Sequence, residues 1–319
     1  MANVLTSTPA EQVAPDRPQP RLDPRSRHRR RLFVPFVAPA LVVYTVLFVA
    51  PAVVSVWISL YSWHGSGDPM HFVGLRNYVH LANDPLFLHS FLNSLAILFV
   101  TGAITFAISL AFTIPLRHMW GRKIIRAILF FPQIVSPVVL GIAWGFILDP
   151  TTGALNTVLR HTGLGGLAQP WLGPDLIFKV ILLISAWSSV GFYTTVLMAG
   201  VDKIPAHFYE EAELAGASAW QKFRYVTLPL NWDVLAMSGV LWVITSMKTF
   251  EFIYAFAGIG QLPSANTWTS ALYVYAIGFS SSGLPQYGLA SAMSVVMLLV
   301  IAILVVLLRR LSRREALEF

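Results

Sequence analysis

Cysteine is absent from the 319-residue chain, and charged residues make up only 12% of it. The first absence excludes disulfides, thiolate metal sites and a cysteine nucleophile, and says nothing of compartment. The second says more, because a soluble domain carries about a quarter of its residues as Asp, Glu, Lys and Arg. Catalytic patterns are also missing. The eight histidines, among them His28, His64, His71 and His207, fall in tails or loops without metal-ligand spacing. There is no G-x-S-x-G elbow and no H-E-x-x-H. No G-x-x-x-x-G-K-S/T occurs either, so the chain has no P-loop of its own with which to bind ATP.

What replaces charge is apolar surface. Hydrophobic residues make up 56% of the chain and the mean hydropathy is +0.66. This composition predicts an all-α, polytopic membrane protein with six transmembrane helices. The expected spans are residues 32–61, 91–116, 124–148, 176–200, 234–257 and 287–308, each near or above the ~20 residues that cross a hydrocarbon core. Residues 1–31, rich in Pro, Ser and Arg, cannot bury enough surface to offset chain entropy, and a disordered tail is expected there. The membrane domain then covers residues 32–310 and a second tail residues 311–319. The first apolar run is too long for a signal peptide and reads as an uncleaved anchor.

A net charge of +7 raises the question of nucleic acid, but the placement of the arginines answers it. Eighteen Lys and Arg lie in the two tails, the turn at residues 117–126 and the segment following the fourth span. The opposite loops hold Arg76 and Arg160, with Lys179 at a boundary. The positive-inside rule therefore predicts both termini, and the segment after the fourth span, to be cytoplasmic.

That segment, residues 203–229, is the one long polar, helix-forming stretch between two apolar spans. Pro205 suits a first helical turn, and Phe208, Ala212 and Ala215 share one helical face. Gly216 interrupts the run, and Ser218 with Gln221 has the spacing of a capping box. The expected shape is a helix, a glycine bend and a short helix, with Leu228-Pro229 turning the chain back. On residues alone, an amphipathic loop in the headgroup layer is an equal alternative. The segment also resembles the EAA loop of ABC import permeases: E-A-A, three residues, Gly, nine residues, then Ile-x-Leu-Pro. Glu210, Ala212, Gly216, Leu228 and Pro229 match, Val226 replaces the isoleucine, and Glu211 stands at the middle alanine.

Further segments are similar to the carbohydrate-uptake class of that family, the maltose and glycerol-3-phosphate type. Phe72–Tyr78 resembles its F-x-G-L-x-N-Y signature. Arg126 with Pro132, Gly153–Asn156 with Trp171-Leu172, and Leu197–Gly200 with Ile204-Pro205 resemble others. Gly258–Pro263 departs from the family's T-x-G-G-P. The resemblance implies a type I importer permease fold in a bacterial inner membrane, with a cytoplasmic coupling helix. It implies the first permease of a heterodimeric pair, working with a second permease, two ATPase subunits that bind ATP and Mg, and an extracytoplasmic binding protein. The chain itself is then no enzyme and holds no cofactor or metal. The coupling residues implied are Glu210, Glu211, Ala212, Gly216, Ala217, Leu228 and Pro229.

For the solute path, Lys248 and Glu251 lie three apart in the fifth expected span. A lone charge at that depth costs at least ~2.5–3.5 kcal/mol on insertion scales. They read either as an intrahelical ion pair or as cavity residues bonding hydroxyls. Trp187, Tyr193, Trp242, Tyr254 and Trp268 are candidate sugar-stacking faces, Trp187 foremost because it stands mid-span beside Ser185, Ser188 and Ser189, against the alternative of interfacial anchors or packing. Asn93, Ser94, Gln133 and Ser136 read as helix-packing groups. With few arginines available for the path, the expected cargo is a neutral di- or oligosaccharide rather than a glycerol phosphate. The rival from another class, an ion-driven secondary transporter, needs intramembrane carboxylates and finds only Glu251.

Overall fold

The computed structural model describes residues 35–117, 119–256, 262–279 and 284–312. The expected tail at residues 1–31, Arg313 and Arg314, and most of the 258–263 loop lie outside them. The chain divides into two compact units, residues 1–53 and 54–319.

Thirteen α-helices occur among the described residues. The first, α1, is Pro35–Ile58. A two-stranded antiparallel hairpin follows, with β1 (Tyr61–Ser62) paired to β2 (His71–Phe72). Then come α2 (Arg76–Asn83), α3 (Pro85–Leu116), α4 (Arg122–Ile134), α5 (Pro137–Ile147), α6 (Ala154–His161) and α7 (Ile177–Val201). The second half holds α8 (Ala206–Leu214), α9 (Ala219–Leu230), α10 (Trp232–Met247), α11 (Glu251–Ala255), α12 (Ser270–Phe279) and α13 (Tyr287–Ser312). Four of these, α1, α3, α7 and α13, are long and apolar enough to cross a membrane. The number rises to six if the bent pairs α4–α5 and α9–α10 each count as one span.

Several boundaries differ from the sequence expectation, each for a local reason. Helix α3 starts at Pro85, six residues before the apolar run. Asp84 caps it by accepting from Leu86 N at 2.9 Å, and Pro85 occupies the first turn. The expected 124–148 helix is two helices bent by 93°. Val135 is already extended (ψ 136°), and Pro137 pushes Ser136, directly before it, into extended backbone (ψ 136°) and then starts α5. The expected 234–257 helix ends at Met247, and Lys248 to Phe250 separate it from α11. Lys248 therefore follows the end of one helix and Glu251 opens the next, and the two do not share one helical face. Helix α12, ten residues long, falls below crossing length and left no span-length signal.

Helix α7 packs against α3 and α4, α10 and α12 pack against α13, and α11 packs against α5. The largest cluster joins Ile97, Ile181, Ile184, Phe252, Ile253 and Leu272. A second unites Leu81, Tyr273 and Met293. Asn93 and Ser94 serve as the packing groups expected of them. Asn93 Nδ2 donates to the carbonyls of Asn266 and Trp268, both at 2.9 Å, and Ser94 Oγ accepts from Ser270 N at 2.8 Å. Together they seat the entry of α12 on α3.

Candidate functional site

Helices α8 and α9 form a polar hairpin between α7 and α10. Helix α8 ends in a Schellman motif: Gly216 N donates to Glu213 O and Ala217 N to Ala212 O, both at 2.9 Å. That closure needs a left-handed residue, and Gly216 has φ +75°. Helix α9 starts with the capping box that the Ser218–Gln221 spacing predicts, Ser218 N donating to Gln221 Oε1 at 2.7 Å and Gln221 N to Ser218 Oγ at 3.3 Å. Lys222 and Glu213 pair across the bend at 3.6 Å.

Three details differ from the expected shape. Pro205 is the residue before α8 rather than its first. The buried side of α8 centres on Tyr209, while Ala215 is exposed. And α9 is not short: it runs twelve residues through Pro229, and the 70° turn comes at Asn231. The wider π-type turn at Phe223–Thr227 lets the helix accommodate Pro229, whose missing N–H would otherwise break the ladder.

Long-range ties hold the hairpin at its base. Asp202, at the end of α7, accepts from Arg126 Nη1 at 2.9 Å and Arg122 Nη1 at 3.2 Å, both on α4. Arg117, at the end of α3, lays its guanidinium 3.2 Å from the Tyr209 ring centroid. The Tyr209 hydroxyl shares a 2.9 Å hydrogen bond with Thr227 Oγ1. Asn231 Nδ2 donates to Leu197 O at 3.1 Å and lies so close to Gly200 that any side chain there would collide. The opposite side of the hairpin is open. Glu210, Glu211 and Gly216 are exposed, Leu214 is 90% and Trp220 63% exposed, and Ala212, Ala217, Leu228 and Pro229 are half-buried.

A cavity of about 410 Å³ lies where both broken spans meet α7. Pro132 and Gln133 come from the end of α4 and Val135 from the break after it; Thr245 comes from the end of α10, Lys248 from the next break and Glu251 from the start of α11. Ser185, Ser188 and Ser189 contribute from α7. Spacings of three and four put those serines on one helical face. Lys248 follows the carboxyl end of α10 and Glu251 opens α11, so each charge is stabilised by the helix terminus it occupies. Among the described residues neither makes a salt bridge, and both are exposed. Ser185 Oγ is buried without a hydrogen-bond partner.

Of the seven sequence candidates for the solute path, Trp242, Lys248 and Glu251 line this cavity, whereas Trp268 packs edge-on to Tyr273 and donates from Nε1 to Pro263 O at 2.8 Å. Trp242 donates from Nε1 to Leu98 O at 2.8 Å. Tyr193 is in the core, edge-on to Trp242. Trp187 is 48% exposed and packs edge-to-face on Trp144, away from the lining. Tyr254 packs against Phe250 and Tyr275. Sequence reasoning gave Gln133 to helix packing and used the three serines only to place Trp187. Their i, i+3, i+4 pattern was the signal that could have found them.

The loop motifs turn out to be braces. Asn77 Nδ2 donates to Ser59 O at 2.7 Å and Tyr61 O at 3.0 Å. Asn156 donates to Gln169 O at 2.9 Å and accepts from Trp171 Nε1 at 2.8 Å. Asp149 Oδ1 accepts from the backbone and hydroxyls of Thr152 and Thr151, which hold its carboxyl far below the usual carboxylate range.

Known proteins are similar to this chain in sequence and in fold. The family model "Binding-protein-dependent transport system inner membrane component" matches residues 103–316. The chain is 31% identical over 290 residues to the alpha-glucoside transport system permease protein AglF of Rhizobium meliloti, covering 88% of this chain and 82% of that one. It is 30% identical over 261 residues to the trehalose/maltose transport system permease protein MalF of Thermococcus litoralis, covering 81% and 86%. In fold it resembles a chain of a bacterial ABC transporter involved in the import of the acidic polysaccharide alginate, with a TM-score of 0.76, 21% identity and coverage of 91% and 98%. Since the family model spans well over half the chain and the identities reach 30% across most of it, the chain belongs to the binding-protein-dependent transport system inner membrane components.

Proposed function

We propose that this chain is one of two permease subunits of an ATP-driven importer that moves a neutral di- or oligosaccharide across a bacterial inner membrane. The hairpin α8–α9 faces the cytoplasm on this reading, on the side to which the lysine and arginine distribution assigns both termini. ATPase subunits, which bind ATP and Mg, dock on its open side. An extracytoplasmic binding protein delivers the sugar at the opposite end, and a second permease completes the pathway.

The observation that carries the reading is the hairpin itself: closed by its own caps, braced at its base, and open on one side with Leu214 and Trp220 exposed. A loop lying in the headgroup layer needs no such bracing. Closure of the ATPase dimer displaces the hairpin and shifts the spans between inward-open and outward-open states. For ATP to drive that shift, the permease must bind the two nucleotide states of the ATPase unequally.

The cavity supports the cargo. Serine and threonine hydroxyls, Gln133 and one charge of each sign suit a polyhydroxylated solute of no net charge. A phosphorylated or acidic sugar would meet Glu251 beside its one cation, at a cost that like charges impose. The sugar-named permeases AglF and MalF support the same class.

The test is co-purification followed by uptake into proteoliposomes, using radiolabelled maltose, trehalose and other disaccharides. The expected result is that an ATPase subunit accompanies the chain and that ATP alone, with no ion gradient, drives uptake of a disaccharide. Uptake that requires a proton or sodium gradient would overturn the reading.

A further inference from the structure

Resting on that reading, we propose that Tyr209 is a positioning residue for energy coupling: it clamps the hairpin to the end of α3 through Arg117 and closes it on itself through Thr227. The sequence signature assigns nothing to any of the three. The geometry does. Tyr209 is a buried residue of an otherwise largely exposed helix. One face of its ring lies 3.2 Å from the Arg117 guanidinium carbon, and its hydroxyl is bonded to Thr227 Oγ1 at 2.9 Å, also buried.

Arg117 carries a cost that needs explaining. Its Nη1 is buried and has no hydrogen-bond partner, an arrangement that disfavours a cation unless something else compensates. The ring beneath it does so, through the attraction between a planar cation and an aromatic face. The carboxyl end of α3 behind it adds to this. A lysine would keep the charge and lose the stack.

Together these contacts define a path. Tyr209 links α8 to α3 through Arg117, and links α8 to the π-type turn of α9 through Thr227. Asp202 separately fixes the start of the hairpin to Arg122 and Arg126 of α4. A push on the open side then moves the ends of α3, α4 and α10 together. Without Tyr209, α8 can tilt on its glycine bend and absorb the push. Tyr209 is buried at the base of the hairpin and does not line the cavity, so its part is to position.

The test uses the whole importer in nanodiscs: both permeases, the ATPase and the cognate binding protein with the solute it co-purifies with. Tyr209→Phe keeps the ring under Arg117 and removes the bond to Thr227. Thr227→Val removes the same bond from the other end. Each is expected to lower the stimulation of ATP hydrolysis by the binding protein about fivefold, the weight of one neutral hydrogen bond. The double variant should fall no further than either single one, because both remove one bond. Unstimulated hydrolysis and the amount of bound ATPase should hold.

A second readout exploits the absence of cysteine. Spin labels at Leu214→Cys and Trp120→Cys, both highly exposed, report whether the hairpin and the turn between α3 and α4 move as one body. Their separation should stay constant between nucleotide-free and vanadate-trapped complexes, and should change between those states once Arg117→Lys is introduced. Unaltered stimulation in both single variants overturns the proposal, as does loss of the ATPase from the variant complexes. So does a label distance insensitive to Arg117→Lys. If the unmodified complex shows no ATP-driven uptake, the function itself is misread; if it couples and the variants couple equally, only the clamp is.

Discussion

The hairpin's long-range ties and the two charged residues of the cavity differ in their partners. In the hairpin, Asp202, Arg126, Tyr209, Thr227 and Asn231 all reach a partner on another element or on the other hairpin helix. In the cavity, Lys248 and Glu251 are a few residues apart in sequence and form no ion pair among the described residues. A structure that transmits displacement is stiffened by satisfied contacts, whereas one that binds a transient solute keeps donors and acceptors unspent. On the function proposed above, the contrast fits transmission in the first region and recognition in the second.

The harshest way to break the contrast is at the hairpin bend. Gly216→Pro cannot adopt φ +75°, since proline holds φ near −65°, and it removes the N–H that bonds Glu213 O. Membrane insertion should be retained, while stimulation of ATP hydrolysis by the loaded binding protein is abolished; normal stimulation would count against force transmission through the bend.

On the cavity side, Lys248→Met removes a cationic donor. A hydrogen bond to a charged group is worth ~1.5–3 kcal/mol, so the solute concentration for half-maximal transport should rise about tenfold or more. An unchanged concentration dependence in a proteoliposome uptake assay would remove Lys248 from the path.

Asp202→Ala sharpens the comparison at the base. It leaves Arg122 and Arg126 without their carboxylate, and because the pairs are partly exposed the loss should be about 1 kcal/mol. That amounts to a small fall in the melting temperature of the detergent-solubilised complex.

The smallest effect belongs to the loop at Asp149. Its carboxyl is held low in the folded state by the Thr152 and Thr151 donors, so its stabilisation is complete above the unfolded value. It declines as pH falls below about 4 toward the folded value. The melting difference between the unmodified protein and Asp149→Asn should therefore narrow as pH drops through that window, and a difference that widens would reverse the assignment.

Much of this was legible in the sequence, but unevenly. Long apolar runs gave away α1, α3, α7 and α13, because burial in lipid demands length and little else. The capping box at Ser218 and the bend at Gly216 could be read because caps and left-handed glycines are local devices. The breaks at Val135 and Lys248 were not read, although Pro137 carried the signal for the first. Helices apolar all round have no periodic stripe to say which face meets what. For the same reason Trp187, placed mid-span beside three serines, lies outside the cavity those serines line. The contacts of Tyr209 with Arg117 and of Asp202 with Arg126 join residues tens of positions apart, and no local pattern announces such pairs.

The central claim is that a separate ATPase acts on the open side of the hairpin. With no native cysteine in this chain, Trp220→Cys and Trp187→Cys place single cross-linkable thiols on the hairpin and far from it. The account predicts cross-links to the ATPase from position 220 that change in yield with ATP, and none from position 187. No ATPase adduct at 220, in a complex that still hydrolyses ATP, would contradict it.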